Sequence, residues 1–431
     1  MKALEIQGPQ RACGSLRVEG NKNAALPMIA ASLLTRESLV LHGMPTILDV
    51  RNMVAIAEAL GVRVRWLDDE TLELQAADLA TATPPEKLCH ALRTSLLFAG
   101  PLTARLGEAH LPHPGGDVIG RRRLDTHFYG LDKLGIDCTP REGCYHFQKR
   151  PAPPSEERQL FLDEASVTAT EHIMMTAALT PGCTVIRNAA CEPHVTQLAQ
   201  LLNAMGAKIT GVETNLLQIQ GVHTLHGAEF TVGADHVNAA SYLALAAATG
   251  GSVELTGNLS LHDYWMTRRV FHRLGATISL EPGRILLNQQ EPLRIRNDLD
   301  GSMPTIADGP WPQFPSDMMS CLIVAATQAQ GSVLFFEKMF ESRIYFVDRL
   351  ISMGANAVIC DPHRAVISGK CTLHGAELIS PDIRAGMALV IAACCAKGTS
   401  LIRNADMIYR GYSHLPQALQ NLHIDAREIE L

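Results

Sequence analysis

Apolar and polar positions along this chain fall into a repeat. A helical run closes on a Leu-Gly or Met-Gly step, and a β-rich segment follows at once. The steps are Leu60-Gly61, Leu134-Gly135, Met205-Gly206, Leu274-Gly275 and Met353-Gly354, and Leu422-His423 continues the series without its glycine. They recur at roughly 70 to 80 residues. Glycine just past a helix end takes the left-handed conformation that other residues avoid, so each step marks a helix-to-strand junction and six units are implied. A second marker is a run of small apolar residues followed by Gly and a strand, as at 177–186, 246–255 and 393–402. Helices that are alanine-rich and apolar nearly all round belong in an interior. Each unit reads as strand, buried helix, strand, outer helix and closing strands, a βαβαββ-like pattern. Three units per half predict two similar α/β domains with helices inside and sheets outside.

Composition narrows the function classes. With 431 residues and 47% hydrophobic content the chain can bury two domain-sized cores. A net charge of -7 and a pI near 6.2 exclude the global basic field of a nucleic-acid binder, so any anion recognition must be local. The 11 cysteines are scattered without CxxC spacing, which argues against a disulfide framework or a zinc site. They read as reduced cytosolic thiols, mostly in the core. No targeting segment stands out, and the longest apolar run, 387–396, is about half a membrane span. A cytoplasmic protein with neither membrane nor nucleic-acid partners is expected.

Two stretches concentrate the candidate chemistry. Gly20-Asn21-Lys22-Asn23-Ala24-Ala25-Leu26-Pro27 sets an ammonium beside a carboxamide immediately before an apolar helix. His113-Pro114-Gly115-Gly116-Asp117-Val118-Ile119-Gly120 places a carboxylate in a Pro/Gly-rich loop that runs into Arg121, Arg122 and Arg123. Together they could hold an anion and move a proton beside it. Structural readings compete: Asn23 could cap a helix beginning at Ala24, and Asp317 could cap the apolar helix it precedes, although Ser316 could fill that role equally well. The 17 histidines show no HxH or HExxH spacing, so no metal site is expected, and His127 reads as a structural or nucleotide-contacting group. Gly250-Gly251-Ser252 is a turn and not a phosphate-binding loop, because no lysine follows in place. The Pro-rich stretch 149–157 reads as an exposed loop.

These motifs, with Leu92-Arg93-Thr94-Ser95, Phe314-Pro315-Ser316-Asp317-Met318, Phe340-Glu341-Ser342-Arg343, Asp382-Ile383-Arg384-Ala385 and Tyr409-Arg410-Gly411-Tyr412, resemble the UDP-N-acetylglucosamine enolpyruvyl transferases from end to end and in the same order. The relatives of that family include the enolpyruvylshikimate phosphate synthases. The resemblance implies a two-domain inside-out α/β barrel fold. One domain would span 22–232 and carry a mobile loop over 111–123. The other would join 1–21 to 233–431, with the active site in the cleft between them. It also implies transfer of the enolpyruvyl group of phosphoenolpyruvate to a sugar hydroxyl with release of phosphate. No cofactor is needed, because phosphoenolpyruvate brings its own leaving group.

A substrate bearing a phosphate and a carboxylate needs several converging cations, and arginine forks suit both groups. By similarity these are Lys22, Arg93, Arg122, Arg343, Arg384 and Arg410. Lys22, Arg122 and Arg410 would hold the phosphate, and Arg384 with Arg410 the carboxylate. Asp317 matches the base that takes the acceptor proton, Asp117 the acid that protonates the methylene carbon, and Asn23 a hydrogen-bonding partner of the acceptor sugar. The acceptor nucleotide would meet Asn23, Arg122, Arg123, Leu124, Asp125, Glu164, Ser166, Val167, Thr168 and Asp317. A monomer or weak homo-oligomer acting on small molecules is implied.

The chain departs from the family at several of these positions. Most members carry cysteine where Asp117 stands. An ordinary aspartate is only about 0.1% protonated at pH 7, so the loop must raise its pKa by desolvation or by proximity to the substrate phosphate. Fosfomycin, which alkylates the family's cysteine, should not inactivate this chain. Arg123 replaces a proline, Glu164 a lysine, Thr168 a glycine and Leu97 a tryptophan often found there. These changes leave two acceptors in view, UDP-N-acetylglucosamine first, and second another nucleotide such as UMP, as in nucleoside-antibiotic synthesis. A catalytically silent nucleotide-binding paralogue is disfavoured, because a binder has no use for a base facing an acid.

Overall fold

The computed structural model describes residues 2–116, 123–151 and 157–431. The described strands form five four-stranded sheets and one three-stranded sheet, one sheet for each repeat read in the sequence. A four-stranded sheet pairs a leading strand in parallel with the strand after the buried helix, then closes with an antiparallel hairpin. Thus Arg158–Phe161 lies parallel to Cys183–Arg187, which is flanked on its other side by the antiparallel pair Leu216–Gln220 and Lys208–Thr210.

Residues 20–233, the undescribed stretches aside, form one compact unit, and 2–19 with 234–431 form the other. Each has its own apolar core. In the larger-numbered unit the helices His236–Thr249, Ser316–Thr327 and Ile383–Cys395 are buried along almost their whole length and pack on one another. In the other, Lys22–Ala31, Ala99–Leu106 and Val167–Ala178 occupy the interior. In two sheets the leading strand comes from a part of the same unit that is distant along the chain. Cys13–Arg17 joins Ser252–Thr256 in parallel, and Ala228–Thr231 joins Ser38–His42. Lys2–Gly8 is inserted between Gly398–Arg403 and Ala426–Glu430, so both chain ends share one sheet.

The step glycines behave as the repeat requires. Gly61, Gly135, Gly206, Gly275 and Gly354 all take positive φ, between 84° and 102°. His423, where the series has lost its glycine, takes φ 57° nonetheless. The backbone conformation therefore belongs to the junction, and a hydrogen bond between His423 Nδ1 and the Cys13 carbonyl, 2.5 Å long, accompanies it.

The cysteines correct one expectation. All 11 are free thiols, but only Cys89, Cys321 and Cys394 are fully buried, because several others lie on sheets whose outer face meets solvent. No helix among the described residues is long and apolar enough to cross a membrane. Residues 152–156 of the Pro-rich stretch lie outside the described residues.

Candidate functional site

The sequence-derived residues divide between the two units. In the unit of residues 20–233, the helix Lys22–Ala31 starts two residues earlier than the cap reading of Asn23 requires. Its N-cap is Asn21, whose buried side chain accepts a hydrogen bond from the Asn23 N–H at 2.9 Å. Asn23 is thereby relieved of capping. Lys22 Nζ lies 3.2 Å from Asp49 Oδ2, with the two side chains 13% and 5% exposed. Asp49 sits in the first turn of Leu48–Ala59, where an acidic residue would ordinarily be read as complementing the helix dipole. That ordinary explanation hid it from sequence reasoning.

Residues 113–116 follow the strand Glu108–Pro112, and Gly115 packs onto the segment before Arg93. The Gly115 N–H donates to the Cys89 carbonyl at 3.2 Å, and a Cβ on Gly115 would lie 1.8 Å from the His90 carbonyl oxygen. Only glycine fits there. Arg93 opens a short 3-10 helix rather than an α-helix and donates from Nη2 to the Arg123 carbonyl at 2.8 Å. It thus ties Arg123 to the segment on which Gly115 packs. Asp117 and Arg122 lie outside the described residues.

Two helix starts assemble the proposed acceptor residues. Asp125 begins Asp125–Lys133, just after Leu124, and accepts from Arg123 Nε at 2.9 Å. Ser166 precedes Val167–Ala178, and its N–H donates to the Glu164 carbonyl at 2.7 Å, closing the turn that presents Val167 and Thr168. The two helices are bridged by His127 Nε2, 3.1 Å from Thr168 Oγ1. Arg123 is held charged first by its hydrogen bond to Asp125, with Glu164 and Asp163 adding to the same field.

In the other unit, Asp317 lies in the first turn of Ser316–Thr327 but caps nothing. Arg343 Nη2 donates to Asp317 Oδ1 at 2.6 Å, and Arg384 Nε donates to Oδ2 at 3.3 Å. Ser316, the alternative cap that the sequence offered, does not cap either. Its hydroxyl donates to the Glu337 carboxylate, at 2.9 and 2.8 Å to the two oxygens, and its oxygen accepts from Arg343 Nη1 at 3.0 Å. A tertiary partner has won over the local backbone.

Arg384 is 4% exposed, and its Nη1 donates to Asn238 Oδ1 at 2.8 Å and to the Tyr412 hydroxyl at 3.1 Å. Burial opposes its charge, but Tyr412, Asp317 and Asp235 more than offset that and hold its pKa above the ordinary value. Nη2 makes no hydrogen bond to a described residue, which leaves one edge of the fork for a ligand. Arg410 follows the short helix Ala405–Tyr409, and its Nη1 approaches Met407 Sδ at 3.4 Å. The adjoining Gly411 carbonyl accepts from Asn238 Nδ2 at 2.8 Å, so residues 410–412 pack beside Arg384.

Glu337 is completely buried, and burial together with hydrogen bonding to Asp308 pushes its carboxyl up to about 8. Its Oε1 also accepts the N–H groups of Met339 at 3.2 Å and Phe340 at 3.1 Å. Glu337, Ser316, Arg343 and Asp317 form one continuous hydrogen-bonded chain. Sequence reading missed Glu337, Asn238 and Tyr412 because each acts through contacts with residues distant in the chain. Among the described residues no group of three or more His, Cys, Asp or Glu side chains could hold a metal ion.

Comparison with known proteins places these observations. The family model for EPSP synthase (3-phosphoshikimate 1-carboxyvinyltransferase) matches residues 6–419. The chain is 48% identical over 419 residues to the UDP-N-acetylglucosamine 1-carboxyvinyltransferase of Treponema denticola, covering 97% of each protein. It is 46% identical over 424 residues to that of Treponema pallidum, covering 98% of this chain and 99% of the relative. Among solved structures, the enolpyruvyl transferase NikO from Streptomyces tendae superposes with a TM-score of 0.88 at 22% identity, covering 99% of this chain and 98% of that one. An EPSP synthase from Acinetobacter baumannii superposes with a TM-score of 0.75 at 16% identity over the whole of both chains, and these two likenesses speak to fold. The six-fold repeat, the motif residues in order and a full-length match in sequence lead to one conclusion: the chain belongs to the EPSP synthase family of enolpyruvyl (carboxyvinyl) transferases.

Proposed function

We propose that this protein transfers the enolpyruvyl group of phosphoenolpyruvate to a sugar hydroxyl of UDP-N-acetylglucosamine, releasing phosphate, as a cytoplasmic monomer or weak homo-oligomer. The observation that carries the reading is Asp317, a carboxylate whose two oxygens are each bonded by a buried guanidinium. The acceptor preference is supported by the 48% identical relative that carries that substrate in its name.

Lys22, Arg93 and Arg122 draw on the phosphate of phosphoenolpyruvate, while Arg343, Arg384 and Arg410 serve its carboxylate and the remaining phosphate charge. An anionic substrate competes with Asp317 for Arg343 and Arg384. Its arrival frees a carboxylate oxygen of Asp317 to take the proton of the acceptor hydroxyl as the hydroxyl oxygen attacks C2. Asp117 delivers a proton to C3 in the same addition, so the tetrahedral adduct keeps its phosphate. Asp117, left ionised by the addition, then takes a proton back from C3 as the C2–O bond to phosphate breaks and the proton held by Asp317 passes to the departing phosphate, which restores the double bond and leaves an enol ether on the sugar. Asn23, free of capping duty, hydrogen-bonds the acceptor, and residues 123–125, 164 and 166–168 flank its nucleotide.

The test is phosphate release from phosphoenolpyruvate, assayed in parallel with UDP-N-acetylglucosamine, UDP-glucose, UMP and UDP. Turnover with UDP-N-acetylglucosamine is expected. Turnover with UMP alone would move the acceptor assignment while keeping the reaction class, and no release with any acceptor would overturn the reading.

A further inference from the structure

The buried histidine pair next to the proposed acceptor segment has only one consistent arrangement of protons. A backbone N–H can only donate, and the Gly100 N–H points at His172 Nε2 from 2.8 Å. The approach depends on the missing side chain, since a Cβ on Gly100 would lie 2.9 Å from His172 Cδ2. His172 Nε2 is therefore an acceptor. Both rings are buried and neutral: burial pulls the His172 pKa down to about 3, and burial, His172 and Arg93 hold that of His127 well below its usual value. A neutral His172 that accepts at Nε2 carries its proton on Nδ1.

That proton meets His127 Nδ1 at 3.1 Å, which must then be the acceptor. His127 in turn carries its proton on Nε2 and donates it to Thr168 Oγ1 at 3.1 Å. The chain of donors thus runs one way, from Gly100 through His172 and His127 to the threonine oxygen. With its oxygen engaged as an acceptor, the Thr168 hydroxyl has its own proton left to give. No described residue accepts it.

We infer that Thr168 is a specificity-determining residue for the acceptor nucleotide, its hydroxyl aimed by the His172–His127 relay to donate a hydrogen bond to an oxygen of the bound uridine nucleotide. The inference rests on the proposed nucleotide acceptor, and it adds a side-chain contact where a glycine relative could offer only backbone. His127 and His172 are positioning residues, since they act through Thr168.

The experiment is titration calorimetry of UDP and of uridine against the full-length protein and its Thr168→Val and Thr168→Ser variants, with ¹⁵N-histidine NMR of the wild-type chain. Thr168→Val keeps the shape and removes the proton, so its UDP affinity should fall about tenfold, the order of one hydrogen bond, while Thr168→Ser retains most of it. A loss shared by uridine places the bonded oxygen on the nucleoside, and a loss confined to UDP places it on phosphate. The NMR should show His172 protonated on Nδ1 and His127 on Nε2. Unchanged UDP affinity in Thr168→Val, or a His172 protonated on Nε2, would overturn the inference. Tight, Thr168-dependent UDP binding without turnover of UDP-N-acetylglucosamine would instead count against the proposed reaction and leave this inference standing.

Discussion

Asp317 holds two guanidinium groups and, in the proposed reaction, must exchange them for a proton. Asp317→Asn keeps the shape and removes the base, so kcat should fall by about 10² to 10⁴, with a smaller change in the KM for phosphoenolpyruvate. Steady-state kinetics with each substrate varied would check this, and an unchanged kcat would remove Asp317 from the chemistry. Behind it, Glu337 offers a separate handle on stability. Its folded pKa of about 8 lies above the 4.5 of an unperturbed glutamate. As pH rises past 4.5 the unfolded chain loses this proton first, whereas the folded chain keeps it until about 8. Stability from this group is thus complete below 4.5 and declines across that window. Glu337→Gln should flatten the decline in denaturant midpoints measured from pH 5 to pH 8; an unaltered slope would show that Glu337 is not the titrating group. At Asp117 a carboxylate should leave the enzyme insensitive to fosfomycin. Asp117→Cys should be inactivated while retaining activity, and an active Cys variant that resists the epoxide would place residue 117 away from the reacting carbon.

At the scale of elements, the helix-to-strand step was the most legible feature of the sequence because its signal is local. A glycine one residue past a helix has to solve the same backbone problem in every unit. Gly135 isolates that problem, since it has φ 84° and no atom within 4 Å of a Cβ placed on it. Gly135→Ala should therefore cost about 1 kcal/mol by chemical denaturation through backbone strain alone, without loss of packing. A neutral substitution would mean that the junction relaxes. Helix starts were less legible. Asn21, Asn23, Ser316 and Asp317 all have capping chemistry, but Asn21 alone of these four caps, because Glu337 and the arginines capture Ser316 and Asp317. Local sequence ranks such residues equally, and tertiary charge separates them. Asp49 and His172 stayed hidden for the same reason, since their partners are Lys22 and His127, far away along the chain.

Across the whole molecule the repeat fixed the number of units and the alternation of buried helix and outer sheet. The motifs in their order pointed to the family. What composition could not supply was the pairing of strands from distant repeats, because Cys13–Arg17 and Ala228–Thr231 are ordinary strands whose partners are set by topology. Two distinct cores also predict more than one unfolding event. Trp66 reports on one unit and Trp265 with Trp311 on the other, so fluorescence of variants retaining one set or the other should give denaturation midpoints that differ; coincident curves would show a single cooperative unit. The central claim is addition of the acceptor to C2 with protonation at C3, followed by loss of phosphate. It is tested most directly by running phosphoenolpyruvate and UDP-N-acetylglucosamine with the protein in D₂O and following phosphorus and proton NMR. The account predicts inorganic phosphate appearing with an equal amount of enol ether, and deuterium in its methylene group. Phosphate released without a new enol ether, or an enol ether free of deuterium, would contradict it.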